Sequence, residues 1–404
     1  MRRGGDLSGA KSAGATPIGS PILPDNFTLL QVAPRLDGGG VEQATLDMAA
    51  AMARAGRRSL VASHGGRLEE ALAQSGARLI RLPAHSKNPV VVAANGARLA
   101  GVIAREKVSL VHVRSRAPAF SALMAARATG VPMVGTYHGV YGARSRLKRW
   151  YNAVMTRGDL TIANSAFARA HLMAEHALAP AKVVVVFEGI DTARFDPAAV
   201  SAGRVAAVRA AWGLAPSDRR AVILLAARLT DWKGQRVAVE ALERLPERDN
   251  MVLILAGGGE GSGYAASIEA DAAVAGISDN VRLVGSCDDM PAAFLAADLV
   301  IAPSTKAESF GRSVVEAAAM GRPALASRLG AHAETVVHGQ TGWLVAPGDP
   351  DAWTRAIQVA LDIGADARAA MGAVARARVE RLYSLTAMCE ATFAVYRRAL
   401  EGRA

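Results

Sequence analysis

The chain has 404 residues, 51% of them apolar and 5% aromatic, a length that exceeds one ordinary core and suits two domains with a groove between them. Its two cysteines, Cys287 and Cys389, are too few for a disulfide framework and lack metal-ligand spacing, which points to a reducing, cytosolic compartment and to no metal site. The net charge of +11 belongs to the first half, where residues 1–200 carry 25 Lys/Arg against 13 Asp/Glu. Between Arg98 and Arg157 eleven cations share the stretch with Glu106 as the single acid. Such a run favours nucleic acid, a phospholipid surface or a phosphorylated or carboxylated acceptor, and equally fits a solvated basic face.

Residues 1–25 hold Arg2, Arg3 and Lys11 among Gly, Ser and Pro, without the apolar run of a signal peptide, and are expected to be a disordered tail. No stretch reaches about eighteen apolar residues free of charge, so no transmembrane helix is predicted. Short apolar runs then alternate with helix-length segments, the pattern of repeated βα units. The first series predicts strands at Phe27–Ala33, Ser59–Ser63, Leu110–Val113, Met133–Tyr137 and Val183–Val186, with a helix at Val41–Ala55. A turn-rich, partly helical connection from Asp191 to Pro216 follows. The pattern restarts at Ala221–Ala226, Met251–Ala256, Val281–Val284, Leu299–Ala302 and Pro323–Ser327. Helices are predicted at Ala352–Ile363, Arg368–Leu382 and Thr386–Leu400, the last crossing back to the first domain. Two doubly wound sheets are implied, with boundaries at 26–195, 196–382 and 383–404.

Ligands of open α/β sheets bind beyond the C-terminal strand ends, so the residues that follow strands matter most. Asp37-Gly38-Gly39-Gly40 links the first strand to a helix, where missing Cβ atoms and free N–H groups admit an anion; a tight turn would read the same. It is not a dinucleotide fingerprint, because the third glycine of G-x-G-x-x-G is absent, and no P-loop occurs. The run from Gly257 to Gly263 is a weaker glycine cluster. Arg228 and Lys233 share one strand-to-helix loop and suit an anion that gains charge as a bond breaks, such as a departing nucleoside diphosphate; solvated surface cations are the plainer account.

The most specific stretch is Glu308-Ser309-Phe310-Gly311-Arg312-Ser313-Val314-Val315-Glu316. A helix starting near Gly311 leaves Glu308 in the preceding loop, able to accept from sugar hydroxyls, while N–H groups near Phe310 and Gly311 face the same ligand. Glu316, in the second turn, is placed to accept from ribose; alternatively the pair is a helix-dipole acid and an exposed helical Glu. His138, ending a strand in Thr136-Tyr137-His138-Gly139, is a candidate to bond a sugar hydroxyl or acceptor, or a packed structural residue. Asp288-Asp289 is too little for a metal site.

Together these motifs resemble the retaining nucleotide-sugar glycosyltransferases of the GT-B fold, family 4. The resemblance runs from Phe27 to Leu400 and includes Ala163-Asn164-Ser165, Gly189-Ile190-Asp191 and Ala319-Met320-Gly321-Arg322-Pro323. It implies two Rossmann-like domains facing across a cleft, acceptor on the first and donor on the second. By resemblance Arg228 and Lys233 hold the diphosphate, Glu308 and His138 the transferred sugar, Glu316 the ribose, and Gly39 and Gly40 the phosphates from the opposite side. Phe310 and Gly311 belong to the donor site, and nucleobase contacts fall near Cys287, Asp288 and Met290.

The donor is expected to be a UDP-, GDP- or ADP-sugar, with no further cofactor, no metal and no specific nucleic acid. Phe187-Glu188 departs from the family pattern and puts that loop's contact in question. His112-Val113-Arg114-Ser115-Arg116-Ala117-Pro118-Ala119 looks like a subgroup of lipopolysaccharide core assembly, which implies a glycan or glycolipid acceptor at the cytosolic face of an inner membrane. Arg144, Arg146, Lys148 and Arg149 with Trp150, in a predicted interfacial helix near Leu147–Met155, would then meet an anionic surface or the acceptor. A glycan phosphorylase and a non-catalytic sugar-nucleotide sensor are the alternatives.

Overall fold

The computed structural model describes residues 23–37, 39–142, 145–259 and 261–402. Arg144, Gly38 and Glu260 therefore lie outside the described residues, as do residues 1–22 of the predicted tail. Residues 23–25 of that tail correct the expectation of disorder: Leu23 is buried, and Arg57 binds its carbonyl at 2.8 Å and the Asp25 carboxylate at 2.6 Å.

Seven parallel strands make the first sheet: β1 (Thr28–Val32), β2 (Arg58–Ser63), β3 (Arg78–Arg81), β4 (Leu110–Val113), β5 (Met133–Tyr137), β6 (Leu160–Ala163) and β7 (Val183–Val185), in the order β3-β2-β1-β4-β5-β6-β7. Six make the second: β8 (Ala221–Ala226), β9 (Met251–Ala256), β10 (Val281–Gly285), β11 (Leu299–Ala302), β12 (Ala324–Ser327) and β13 (Gly342–Val345), in the order β10-β9-β8-β11-β12-β13. Central strands read as near-continuous apolar runs because helices cover both faces of the sheet. Thus every residue of β1, β4, β9 and β11 is buried. β3, β6 and β13 were not anticipated. β3, Arg-Leu-Ile-Arg, is a sheet edge flanked by charge, β6 places a Thr in a four-residue strand, and β13 is a four-residue edge strand that opens on Gly.

The helices are α1 (Gly40–Arg54), α2 (Glu69–Gln74), α3 (Pro89–Glu106), α4 (Arg116–Thr129), α5 (Arg146–Asn152), α6 (Ala166–His176), α7 (Ala202–Ala211), α8 (Gln235–Glu243), α9 (Gly263–Val274), α10 (Met290–Ala296), α11 (Arg312–Ala319), α12 (His332–Thr335), α13 (Pro350–Asp362), α14 (Gly364–Leu382) and α15 (Leu385–Glu401). Among the described residues no helix is long and apolar enough to cross a membrane. α15 packs Met388, Cys389, Val395, Tyr396 and Ala399 into one apolar cluster with Phe27, Leu29 and Met52 of the first sheet and α1. The chain therefore passes between domains twice. The passages are bonded side by side: Ile190 N–H donates to the Tyr383 carbonyl at 2.7 Å, and Leu385 N–H donates to the Ile190 carbonyl at 3.0 Å.

In both sheets the strand order reverses beside the first strand, between β1 and β4 and between β8 and β11. At such a switch point the following loops run apart and leave a crevice at the C-terminal strand ends. The two crevices face each other.

Candidate active site

β8 and β11 are neighbours, so the loops that follow them meet. The first supplies Arg228, Trp232 and Lys233, the second Ser304 to Gly311. Thr305 N–H donates to the Trp232 carbonyl at 2.8 Å, which ties the loops together. Gly234 makes the approach feasible. Its φ is +80°, and a Cβ there would lie 2.0 Å from the Pro303 carbonyl oxygen. Lys233 Nζ lies 2.9 Å from Glu308 Oε1, both side chains mostly buried, and the ammonium also rests 4.5 Å from the Trp232 ring centroid.

Glu308 Oε1 accepts a further bond from Ser304 Oγ at 2.5 Å, and buried His332 brings Nε2 within 3.8 Å. Burial alone would raise the Glu308 carboxyl, but Lys233, His332 and the Ser304 hydroxyl outweigh it and hold it below the ordinary 4.5. His332 itself is lowered, first by burial and then by Lys233, against the opposing pull of Glu308. Above it sits Gly311 at φ +83°, the N-cap of α11, where a Cβ would strike the His332 ring at 2.4 Å. Arg228 is exposed, and among the described residues no hydrogen bond or ion pair engages its guanidinium.

Arg228, Trp232 and Glu308 line a cleft of about 880 Å³ between the domains, together with Gly40, His138, Tyr141, Glu188, Lys306 and Arg312, whereas Lys233, Ser304 and His332 contact Glu308 from outside that lining. Gly40 opens α1 and lines the cleft, and no side chain caps that helix terminus, where free N–H groups favour negative charge. Gly39 is the N-cap behind it, at φ +143°. His138 follows β5 and brings its imidazole to the wall opposite Glu308. Ser309 joins the walls: its hydroxyl donates to the His138 carbonyl at 3.0 Å and accepts from Asn164 Nδ2 at 3.3 Å.

The remaining predicted donor-site positions are mostly buried or lie outside the cleft lining. Phe310 contributes to that lining, yet the ring is 3% exposed and meets Tyr383 edge-on at 5.8 Å, so it anchors the loop. Glu316 lies in the second turn of α11, 2.8 Å from Arg312 Nε. Burial raises its carboxyl, and Arg312 offsets this only in part. Cys287, Asp288 and Met290 follow the edge strand β10 and are outside the cleft lining; Cys287 is half-buried and packs on the second domain's core. Glu188, Ser309, Arg312 and His332 were not proposed as site residues. Glu188 had a signal, as the acid where the family pattern differs. Ser309 and Arg312 were inside the Glu308–Glu316 motif, and nothing local marked His332.

The predicted interfacial helix is shorter than expected. α5 ends at Asn152, whose buried amide donates to the Tyr141 carbonyl and accepts from Arg116. The next turn is a 3-10 helix that sends Val154 and Met155 into the core at 0% exposure. Arg146, Lys148 and Arg149 remain outward with Leu147, 75% exposed, and Trp150, 50% exposed.

Residues 38–194 match the model of Glycosyltransferase Family 4, and residues 211–378 that of Glycosyl transferases group 1. The chain is 36% identical over 236 residues to the D-inositol 3-phosphate glycosyltransferase of Salinispora tropica, covering 56% of this chain and 48% of that one. It thus spans about half the length of the curated relatives it matches. Among solved structures, a glycosyltransferase from Rickettsia africae superposes with a TM-score of 0.85 at 29% identity, covering 93% of this chain and 99% of that chain. Anabaena Alr3699/HepE, in complex with UDP and glucose, gives 0.78 at 22% over 92% and 100%. The chain therefore carries a family 4 and a group 1 glycosyltransferase domain, set face to face in the GT-B fold.

Proposed function

We propose that the protein is a retaining glycosyltransferase that moves a sugar from a UDP-, GDP- or ADP-sugar to a glycan or glycolipid acceptor. The observation that carries this reading is one cleft lined by exposed Arg228, by Glu308, whose carboxylate Lys233 pairs, and, across it, by His138. Leaving diphosphate gains charge as the glycosidic bond breaks, and preorganised cations stabilise that charge more than they stabilise the ground state. Arg228 and Lys233 supply it, with the α1 terminus at Gly40 opposite. Glu308 and His138 bond the sugar hydroxyls, and Glu316 the ribose. The acceptor hydroxyl attacks from the face that the diphosphate leaves, and the departing oxygen takes its proton. These cations make a bound metal unnecessary.

Residues 26–195 serve the acceptor, 196–382 the donor, and α15, within the stretch 383–404, braces the first domain. The relatives named for inositol 3-phosphate support an anionic acceptor, as does the basic first domain. Lipopolysaccharide core or another envelope polysaccharide fits that chemistry. The outward cations of α5 with Leu147 and Trp150 suit peripheral contact with an anionic membrane at its cytosolic face.

Purified protein is to be screened against UDP, GDP and ADP for stabilisation, which at 100 times the dissociation constant amounts to about 2.7 kcal/mol. The matching nucleotide-sugar is then supplied with acceptor extract, and the anomeric proton of the product is read by NMR. An inverted anomer defeats the retaining mechanism. Nucleotide binding without product under any acceptor leaves a sensor.

A further inference from the structure

The strands β5, β6 and β7 lie side by side, with Tyr137 opposite Ala163 and Ala163 opposite Val185. His138 and Asn164 are the first residues beyond β5 and β6, and Glu188 stands three beyond the end of β7. The three therefore meet at one edge of the cleft. Glu188 Oε1 lies 3.3 Å from His138 Nδ1 and accepts from Asn164 Nδ2 at 2.9 Å. The other imidazole nitrogen, Nε2, is buried and has no partner among the described residues, although His138 lines the cleft.

We propose that Glu188 is a positioning residue for His138, fixing its ring with Nδ1–H toward the carboxylate so that Nε2 is presented to a hydroxyl of the transferred sugar. This rests on the glycosyltransferase reading for the identity of the ligand, and on the geometry alone for the pairing. An ionised carboxylate offers only lone pairs, so the nitrogen that meets it must carry the proton. In the neutral ring that leaves Nε2 as an acceptor, which suits an O–H and not a phosphate oxygen. Burial by itself would raise the Glu188 carboxyl, but His138 and Asn164 prevail and hold it below the ordinary value.

Asn164 has a second task, since the same amide reaches Ser309 at 3.3 Å while Ser309 binds the His138 carbonyl. The ring is thus held by Glu188 of its own domain, while the backbone that carries it is tied to the other domain by the residue next to Glu308. Two hydroxyls of one sugar, one donating to Glu308 and the other to His138 Nε2, would meet acceptors whose spacing is set by one connected set of bonds.

The test reads the ring directly. Long-range proton–nitrogen NMR of protein labelled at histidine nitrogen, with His138→Gln to assign the signal, is expected to show a protonated Nδ1 and a bare Nε2 at neutral pH. Glu188→Ala should mix the tautomers, whereas Glu188→Gln, whose amide oxygen also accepts, should retain the pattern. In turnover, Glu188→Ala should lower kcat about tenfold or more, with Glu188→Gln recovering most of it, as for removal of other orienting partners. A bare Nδ1 in the wild type, or identical ring spectra in the wild type and Glu188→Ala, overturns the proposal. The spectra need no turnover, so a chain without transferase activity would count against the enzyme reading while the pairing is still decided.

Discussion

The Lys233 ammonium and the Glu308 carboxylate form one ion pair at 2.9 Å, so a cation assigned to the diphosphate and an acid assigned to the sugar hold each other in place. Removing one partner of a mostly buried pair leaves the other uncompensated, at a cost of about 3 kcal/mol. Lys233→Ala is therefore expected to lose both stability and turnover. Arg228→Ala, at an exposed guanidinium, should lose about 100- to 1000-fold in kcat with an unchanged melting temperature. Near-normal turnover by Arg228→Ala in a well-folded protein would end its assignment.

The two glutamates should respond oppositely to pH. Glu308 is held below its ordinary 4.5, so its contribution is complete above that value and is lost as pH falls through the depressed folded value. Glu316 is held above 4.5 by burial, so the native state binds the extra proton and stability declines as pH rises from 4.5 through its folded value. Denaturant titrations across pH 3 to 8 are expected to show that Glu308→Gln removes an acid-side slope and Glu316→Gln the opposite one. In kinetics, Glu308→Gln should mainly lower kcat and Glu316→Gln mainly raise the donor KM. The reverse pattern exchanges their roles.

Glu334 belongs to the second domain, yet its carboxylate accepts from Ala166 N–H at 2.8 Å and Phe167 N–H at 2.6 Å, at the start of α6 in the first. A carboxylate at a helix N-terminus is worth about 1 kcal/mol. Glu334→Ala should therefore favour an opened cleft. X-ray scattering should report a larger radius of gyration, and the donor KM should rise more than kcat falls; an unchanged radius would show that the contact does not hold the domains together.

Leu147 and Trp150 stand outward among Arg146, Lys148 and Arg149. Each cation near an anionic bilayer adds about 1 kcal/mol, screened by salt. Sedimentation with phosphatidylcholine vesicles, with and without phosphatidylglycerol, should give binding that needs the anionic lipid and fades at high salt. Trp150→Ser should weaken it. Equal binding to both vesicles would defeat the electrostatic account.

Gly234→Ala and Gly311→Ala test the scaffold. Both positions have positive φ, and the added Cβ meets the Pro303 carbonyl in one and the His332 ring in the other. Each should cost well over about 1 kcal/mol. Gly321→Ala, also at positive φ but with nothing near its Cβ, should cost less, and the difference in denaturation midpoints measures the clash.

Much of this was legible in the chain itself. The strands β8, β9 and β11 are uninterrupted apolar runs, and the Glu308–Glu316 stretch declares a loop followed by a helix. What local pattern cannot carry is strand order. Only because β8 lies against β11 does Lys233 meet Glu308, and only because β5, β6 and β7 are adjacent do His138, Asn164 and Glu188 converge. β6 was missed, and with it the reason for Asn164. The predicted interfacial helix failed at Val154 because a 3-10 turn changes the angle per residue and rotates the following side chains inward.

The paired passages at Ile190 and Tyr383–Leu385 govern how the cleft works. Two covalent links bonded together behave as the spine of a book. Any opening of the covers would then be a swing about one line, without sliding or twisting, and would return the same residues of the two halves to the same opposition. Register across the candidate site would thereby be set by the backbone, away from the cleft. Shortening the chain before Ser384 would sever one of those links and let the halves meet in many orientations, a loss that no change within the cleft could repair.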